Sequence, residues 1–157
     1  MSFLAPKSSL TKQKLVEVPA DEPWTDFLEQ INDLFIEEKA ARQQSDHIKL
    51  AEICCRVLQL SFDNNELHKL RNFMLQLIKK RGQAKKPIVD MVELCQKTYF
   101  DKLPNRSEKY KMLETLREAC EGKMFLEREY SQATKTLCEY LEEDGKADEA
   151  TKIIQEI

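Results

Sequence analysis

The sequence predicts an all-α fold, an α-solenoid of stacked antiparallel helical hairpins with about seven helices. Three observations predict it. Ala, Glu, Lys, Leu and Arg make up close to half of the 157 residues, a composition typical of long helices. Three glycines and five prolines leave too little turn material for a β-sandwich. From Trp24 onward the apolar residues recur with a helical period, and several helices carry two apolar stripes, which implies neighbours on both sides. Hairpins begin near residues 24, 64 and 106, a spacing of about 40 that suits helical repeats. A globular bundle of the same helices is the alternative, and the recurring two-sided stripes favour the solenoid.

Residues 1–21 show no sustained period and carry Pro6 and Pro19 among Ser, Thr and Lys, so they are expected to form a flexible tail or an extended arm. The solenoid is expected over 22–157. Trp24, Phe27, Leu28, Ile31, Leu34 and Phe35 fall on one face of a first helix, with Asp21 as its cap and Pro23 in its first turn. Ser45 or Asp46 caps a second helix. Its stripes are Ile48, Ala51, Cys55, Leu58 and Phe62 on one side and Leu50, Ile53, Val57 and Leu60 on the other. Asn64 is expected to open a third helix bearing Leu67, Leu70, Met74, Leu77 and Ile78, which ends near Gly82 after Lys79, Lys80 and Arg81.

Pro87 falls in the first turn of a fourth helix with Ile88, Val92, Cys95 and Tyr99 on one face. After the break at Pro104 and Asn105, Ser107 opens a fifth helix with Tyr110, Leu113, Leu116 and Cys120. Beyond Gly122 a long sixth helix carries Leu126, Tyr130, Ala133, Leu137, Tyr140 and Leu141 as far as Gly145. Ala147, Ala150, Ile154 and Ile157 begin a seventh, and its uncapped apolar end reads as a piece of a longer protein.

Little in this text asks for chemistry. No two glycines have the spacing of a phosphate-cradling loop. The net charge of −3 favours neither a nucleic-acid coat nor an acidic tail. No apolar run approaches a membrane span, and Met1–Pro6 lacks a signal peptide's apolar stretch, so the chain is expected inside the cell. The five cysteines Cys54, Cys55, Cys95, Cys120 and Cys138 lack metal-ligand spacing and read as small reduced hydrophobes. His47 and His68 read as surface residues, and the pairs Glu37–Glu38 and Glu142–Glu143 as solvated helix ends, because adjacent helical residues do not face each other. No catalytic residue, metal site or cofactor is predicted, and the protein reads as non-enzymatic.

One cluster stands out. Lys79, Lys80, Arg81, Lys85 and Lys86 place five cations within eight residues. They are the candidate partner contact, suited to a nuclear address, a phosphate contact or an acidic protein partner, against the alternative of a helix end complementing its own dipole and a solvated loop. Without interleaved aromatics the cluster argues against nucleic acid. Glu139, Glu142, Glu143, Asp144, Asp148 and Glu149 form the opposite, acidic junction.

Four segments carry a family resemblance: EKAARQQSD at 38–46, LIKKRGQAKKPIVDMV at 77–92, LETLREACEGKMFLEREYSQATKTL at 113–137 and EDGKADEATKIIQEI at 143–157. Together they resemble the non-ATPase regulatory subunit 12 family, PCI-type scaffold subunits of the 26S proteasome lid. The third is the most specific, through Thr115–Arg117, Glu121–Lys123, Glu127, Glu129 and Thr134–Leu137. Tyr130 and Gln132 stand where the family tends to have arginines, and Ala119 and Cys120 replace the usual residues before the turn. The resemblance implies a helical arm, similar in design to tetratricopeptide repeats, truncated here before a winged-helix PCI module. It implies no cofactor, no small-molecule substrate and no membrane; the partners it implies are other lid, base and core subunits, met in cytoplasm and nucleus. The sister scaffold of the COP9 signalosome is the nearest alternative, and a stand-alone helical-repeat adaptor for acidic or peptide partners is another.

Overall fold

The computed structural model of the chain describes residues 13–155. Seven α-helices and no strand lie among them: α1 (Asp26–Gln43), α2 (His47–Asp63), α3 (Leu67–Ile78), α4 (Lys85–Glu93), α5 (Arg106–Cys120), α6 (Glu127–Glu143) and α7 (Ala147–Gln155). A π-helical turn, Leu94–Tyr99, and a 3-10 turn, Phe100–Lys102, prolong α4, and a 3-10 turn, Met124–Leu126, leads into α6. Each of α1·α2, α2·α3, α5·α6 and α6·α7 packs as sequence neighbours, while α2·α4 and α3·α5 pack across the hairpins. Those next-but-one contacts continue the stack in one direction, which is the solenoid arrangement.

The same turn design recurs three times. Ser45, Asn65 and Gly145 take left-handed backbone conformations. The amide two residues beyond each helix's end cap then returns to the carbonyl three residues before that cap: Asp46 to Ala41, Glu66 to Ser61 and Lys146 to Leu141. This closes the last carbonyls of α1, α2 and α6, and the next helix begins one residue later. Such a design moves the expected starts. Asn64 ends α2 rather than opening α3, whose N-cap position is Glu66. Asp46, not Ser45, caps α2 by accepting from the Lys49 amide. Thr25, not Asp21, caps α1 through its hydroxyl, leaving Pro23 and Trp24 outside the helix. Asn105 caps α5, so Ser107 already lies within it.

The buried residues form one continuous core from Val16 to Ala150. Leu28, Ile31 and Phe35 of α1 are buried, and the Phe35 ring stands edge-on to Phe73 of α3. Both stripes of α2 are covered at Ala51, Leu58, Leu50, Ile53 and Val57, but Ile48 is 67% exposed at the start of the helix. In α7 the inward residues are Ala150 and Ile153; Ala147 is exposed and Ile154 is 54% exposed. Ile157 lies outside the described residues.

Of the expected tail or arm, residues 13–21 are described and are non-helical. Asn32, fully buried on α1, accepts from the Leu15 and Val16 amides at 2.7 and 3.2 Å and donates to the Gln13 carbonyl at 2.9 Å. Gln76 of α3 makes a reciprocal pair with the Glu17 backbone, at 3.0 and 2.7 Å. A buried amide satisfied on both its oxygen and nitrogen thus pins this segment across α1 and α3.

Candidate functional site

The five candidate cations occupy the α3–α4 turn and the start of α4. Lys79, at the C-cap of α3, lies 3.0 Å from Glu118 of α5. The Lys80 ammonium stands 5.5 Å from the centre of the Phe35 ring, and that of Lys85 stands 5.3 Å from that of Phe125. Lys86 pairs with Asp90, one turn on in α4, at 3.1 Å. Lys79, Lys80 and Arg81 come together on one wall of a groove of about 500 Å³ shared with Glu17 and Gln76. Lys86 lines a different groove, with Ile48, Cys55 and Asp90. The cluster therefore divides between two adjacent faces of one turn.

A buried lock holds that turn in place, and it corrects the reading of Glu38 as solvated. Glu37 is exposed, but Glu38 is completely buried. Its two oxygens accept from Arg42 Nε and Nη2 at 2.8 and 3.2 Å, one turn on in α1. Gln83 Nε2 donates to Glu38 at 3.0 Å and to the Leu77 carbonyl at 2.8 Å. The remaining guanidinium nitrogen of Arg42 donates to the Arg81 carbonyl at 3.0 Å. A carboxylate buried in this way needs a charged partner and saturated hydrogen bonds, and it has both. The i, i+4 spacing of Glu38 and Arg42 was the available signal; Gln83 has no sequence signature.

The acidic junction is also partly internal. Arg106 reaches from the start of α5 to Glu143 at 2.8 Å, Asp144 at 2.9 Å and the Tyr140 carbonyl at 3.1 Å. Tyr110 donates its phenolic hydrogen to the same Asp144 carboxylate. These bonds, the Tyr110 hydroxyl first and Arg106 next, hold the Asp144 carboxyl below its ordinary range. Glu139, Glu142, Asp148 and Glu149 face solvent.

In the segment 113–137, Arg117 donates to Thr134 at 3.0 Å and to the Tyr130 hydroxyl at 3.2 Å, bridging α5 and α6. Tyr130, one departure from the family pattern, is thus an acceptor for a guanidinium; an arginine there would bring two like charges together. Gln132, the other, is exposed beside a groove of about 560 Å³ between α6 and the π-helical turn. Ala119 and Cys120 are buried.

No convergent chemistry appears among the described residues. His47 and His68 are exposed, and His68 Nε2 lies 3.2 Å from the Asn72 amide nitrogen. No group of three His, Cys, Asp or Glu side chains is placed to hold a metal ion. All five cysteines are free. Burial pushes the thiols of Cys55 and Cys120 up to about 11, and those of Cys54 and Cys95 higher still, so none of these four is a thiolate at neutral pH. No described helix is long and apolar enough to cross a membrane.

Comparison with known proteins gives a consistent family. The model for PSMD12/CSN4, N-terminal, matches residues 29–157. The 26S proteasome non-ATPase regulatory subunit 12 of Dictyostelium discoideum is 31% identical over 83% of the chain and 29% of its own length. Homolog A of that subunit in Arabidopsis thaliana is 32% identical over 81% of the chain and 28% of its own length. The 26S proteasome regulatory subunit RPN5 of Saccharomyces cerevisiae is 31% identical over 81% of the chain and 29% of its length. The chain spans less than a third of the length of these relatives.

Proposed function

Because the chain belongs to the PSMD12/CSN4 N-terminal family, we propose that it is a non-catalytic scaffold segment of the 26S proteasome regulatory-particle lid. It acts through lid assembly and so in ubiquitin-dependent protein degradation. The observation that carries this reading is the match of over four fifths of the chain to proteins named as 26S proteasome regulatory subunits. The continuous helical stack supports it, since a solenoid offers long edges to partners while each helix pair contacts only its neighbours. In the whole protein this arm precedes a winged-helix PCI module. Its partners are other lid, base and core subunits, met in cytoplasm and nucleus, and no cofactor takes part. Lys79, Lys80, Arg81, Lys85 and Lys86 are the proposed partner contact.

The test is to tag the full-length protein in its own cells, purify it gently and identify by mass spectrometry what travels with it. Lid, base and core subunits in near-equal amounts are the expected result. Signalosome subunits in their place would move the chain to the other branch that the family description names. Recovery free of either complex would favour a stand-alone adaptor.

A further inference from the structure

Antiparallel helices place alternate turns at opposite edges of the array, and side-chain contacts identify which turns share an edge. Arg42, ending α1, donates to the Arg81 carbonyl in the α3–α4 turn. Lys79 and Lys85 of that turn and the start of α4 reach Glu118 and Phe125 at the α5–α6 turn. The α1–α2, α3–α4 and α5–α6 turns therefore form one edge. At the other edge Arg106 joins the α5 start to the α6–α7 turn. The basic and acidic junctions lie at opposite edges.

The first edge has two properties in combination. Once Lys79 has paired with Glu118 and Lys86 with Asp90, Lys80, Arg81, Lys85 and Lys123 make no ion pair among the described residues. The carboxylates facing them are Glu17, in the groove of Lys80 and Arg81, with Glu121 and Asp46 in the turns, and Asp46 is engaged in capping α2. The edge thus carries excess positive charge in a chain whose net charge is −3. The same edge holds three of the four large exposed apolar side chains among the described residues: Met124 at 88%, Ile48 at 67% and Phe125 at 37%. Ile48 shares a groove with Lys86, and the Phe125 ring lies under Lys85. The order along the edge is apolar, basic, apolar.

From this arrangement we infer that the edge formed by the α1–α2, α3–α4 and α5–α6 turns docks an acidic protein segment that carries an apolar side chain toward each end. Two helix spacings separate the apolar groups, about 20 Å at the usual interaxial distance. A helical segment of about 13 residues spans that length. Glu38 is the positioning residue of this edge, since through Arg42 and Gln83 it fixes the turn that presents Lys80 and Arg81. The inference gives the partner chemistry of the contact proposed above and rests on that reading only for the partner's identity. Binding measured on the chain alone tests the edge, and co-purification tests the scaffold role.

The probe is a labelled helical peptide of about 16 residues, with leucines near both ends and glutamates between. A second peptide replaces each glutamate with glutamine. Fluorescence anisotropy measures affinity, and amide chemical shifts of the labelled chain map the contact. The acidic peptide should bind saturably, with shifts at 44–48, 79–86 and 121–125, and the glutamine peptide should bind about tenfold more weakly. Lys80→Glu with Arg81→Glu, and separately Met124→Ser with Phe125→Ser, should each weaken binding severalfold while leaving the circular dichroism unchanged. Arg81, Met124 and Phe125 are exposed and Lys80 is half-buried with no ion pair among the described residues, so folding is retained. Affinity that falls with the charge reversals but ignores Met124 and Phe125 would overturn the apolar anchor and leave simple ion exchange. Shifts centred on the opposite edge, or absence of binding by the acidic peptide, would overturn the inference entirely.

Discussion

Glu38→Ala should destabilise the chain by about 2–3 kcal/mol. Removing one partner of a buried ion pair costs about 3–5 kcal/mol when the other charge is left stranded. Here the Glu38 side chain is 1% exposed but that of Arg42 is 17% exposed, so the abandoned guanidinium turns partly toward water and the cost falls at the low end. Gln83 loses one acceptor yet keeps the Leu77 carbonyl, and alanine returns a few tenths of a kcal/mol, roughly, through helix propensity. For a chain of this size each kcal/mol lowers the thermal midpoint by about 2–4 °C, giving a fall of about 5–10 °C. The assay is urea unfolding followed by far-ultraviolet circular dichroism, on Glu38→Ala, Arg42→Ala and the double variant. The double variant should be less destabilised than the sum of the singles by about 1–2 kcal/mol. A loss for Glu38→Ala below about 0.5 kcal/mol, the range of ordinary surface substitutions, would refute the buried lock and restore Glu38 to solvent.

Leu116→Asp should unfold at least α5 and α6, because Leu116 has no exposure and a carboxylate there has no partner; the cost exceeds about 4 kcal/mol, and an unchanged thermal midpoint would contradict it. Asn32→Ala should release the segment before α1, speeding hydrogen exchange at the Leu15 and Val16 amides by about tenfold; exchange equal to wild type would show that the segment is held by other contacts. Stability should also fall in alkali through Cys120. Burial raises its folded value to about 11 from an ordinary 9.0, so above pH 9 the unfolded state releases a proton that the folded state retains. The stability it contributes is intact below pH 9 and is lost as the pH climbs toward 11. Unfolding of Cys120→Ala should therefore be less steeply pH-dependent across that window, and parallel curves would exclude the effect.

The helices were legible because their apolar spacing is set by burial: Leu70, Met74 and Leu77, or Leu113, Leu116 and Cys120, have to lie on one side to be covered. The turns were less so. A left-handed residue followed directly by the next helix's cap position compresses the break to three residues. Asn64, a good cap by type, is then consumed in ending α2. The π-helical turn at Leu94–Tyr99 left no trace either, since Ile88, Val92, Cys95 and Tyr99 keep α-helical spacing across it and are all buried. Glu38 shows the limit for polar residues. A charged side chain is assigned to solvent unless its partner is known, and Gln83 lies 45 residues away.

Three of the four segments that carry the family resemblance are held by internal polar contacts. The stretch 38–46 meets 77–92 through Glu38, Arg42 and Gln83, and 113–137 closes on itself through Arg117, Thr134 and Tyr130. These six polar residues satisfy buried or half-buried partners, so their geometry is demanded by the stack whether or not a partner is present. The cations and apolar side chains left over at the turns answer to no such internal demand. Met124 is 88% exposed, and Lys80 and Arg81 form no ion pair among the described residues. Folding gains little from a solvated methionine, and surface charges contribute little stability by themselves. Residues of the first kind identify the fold and its family. Residues of the second kind are where contact with another protein is to be sought, and the α3–α4 turn joins the two: Gln83 and the Arg81 carbonyl bind inward while the Lys80 and Arg81 side chains border an open groove.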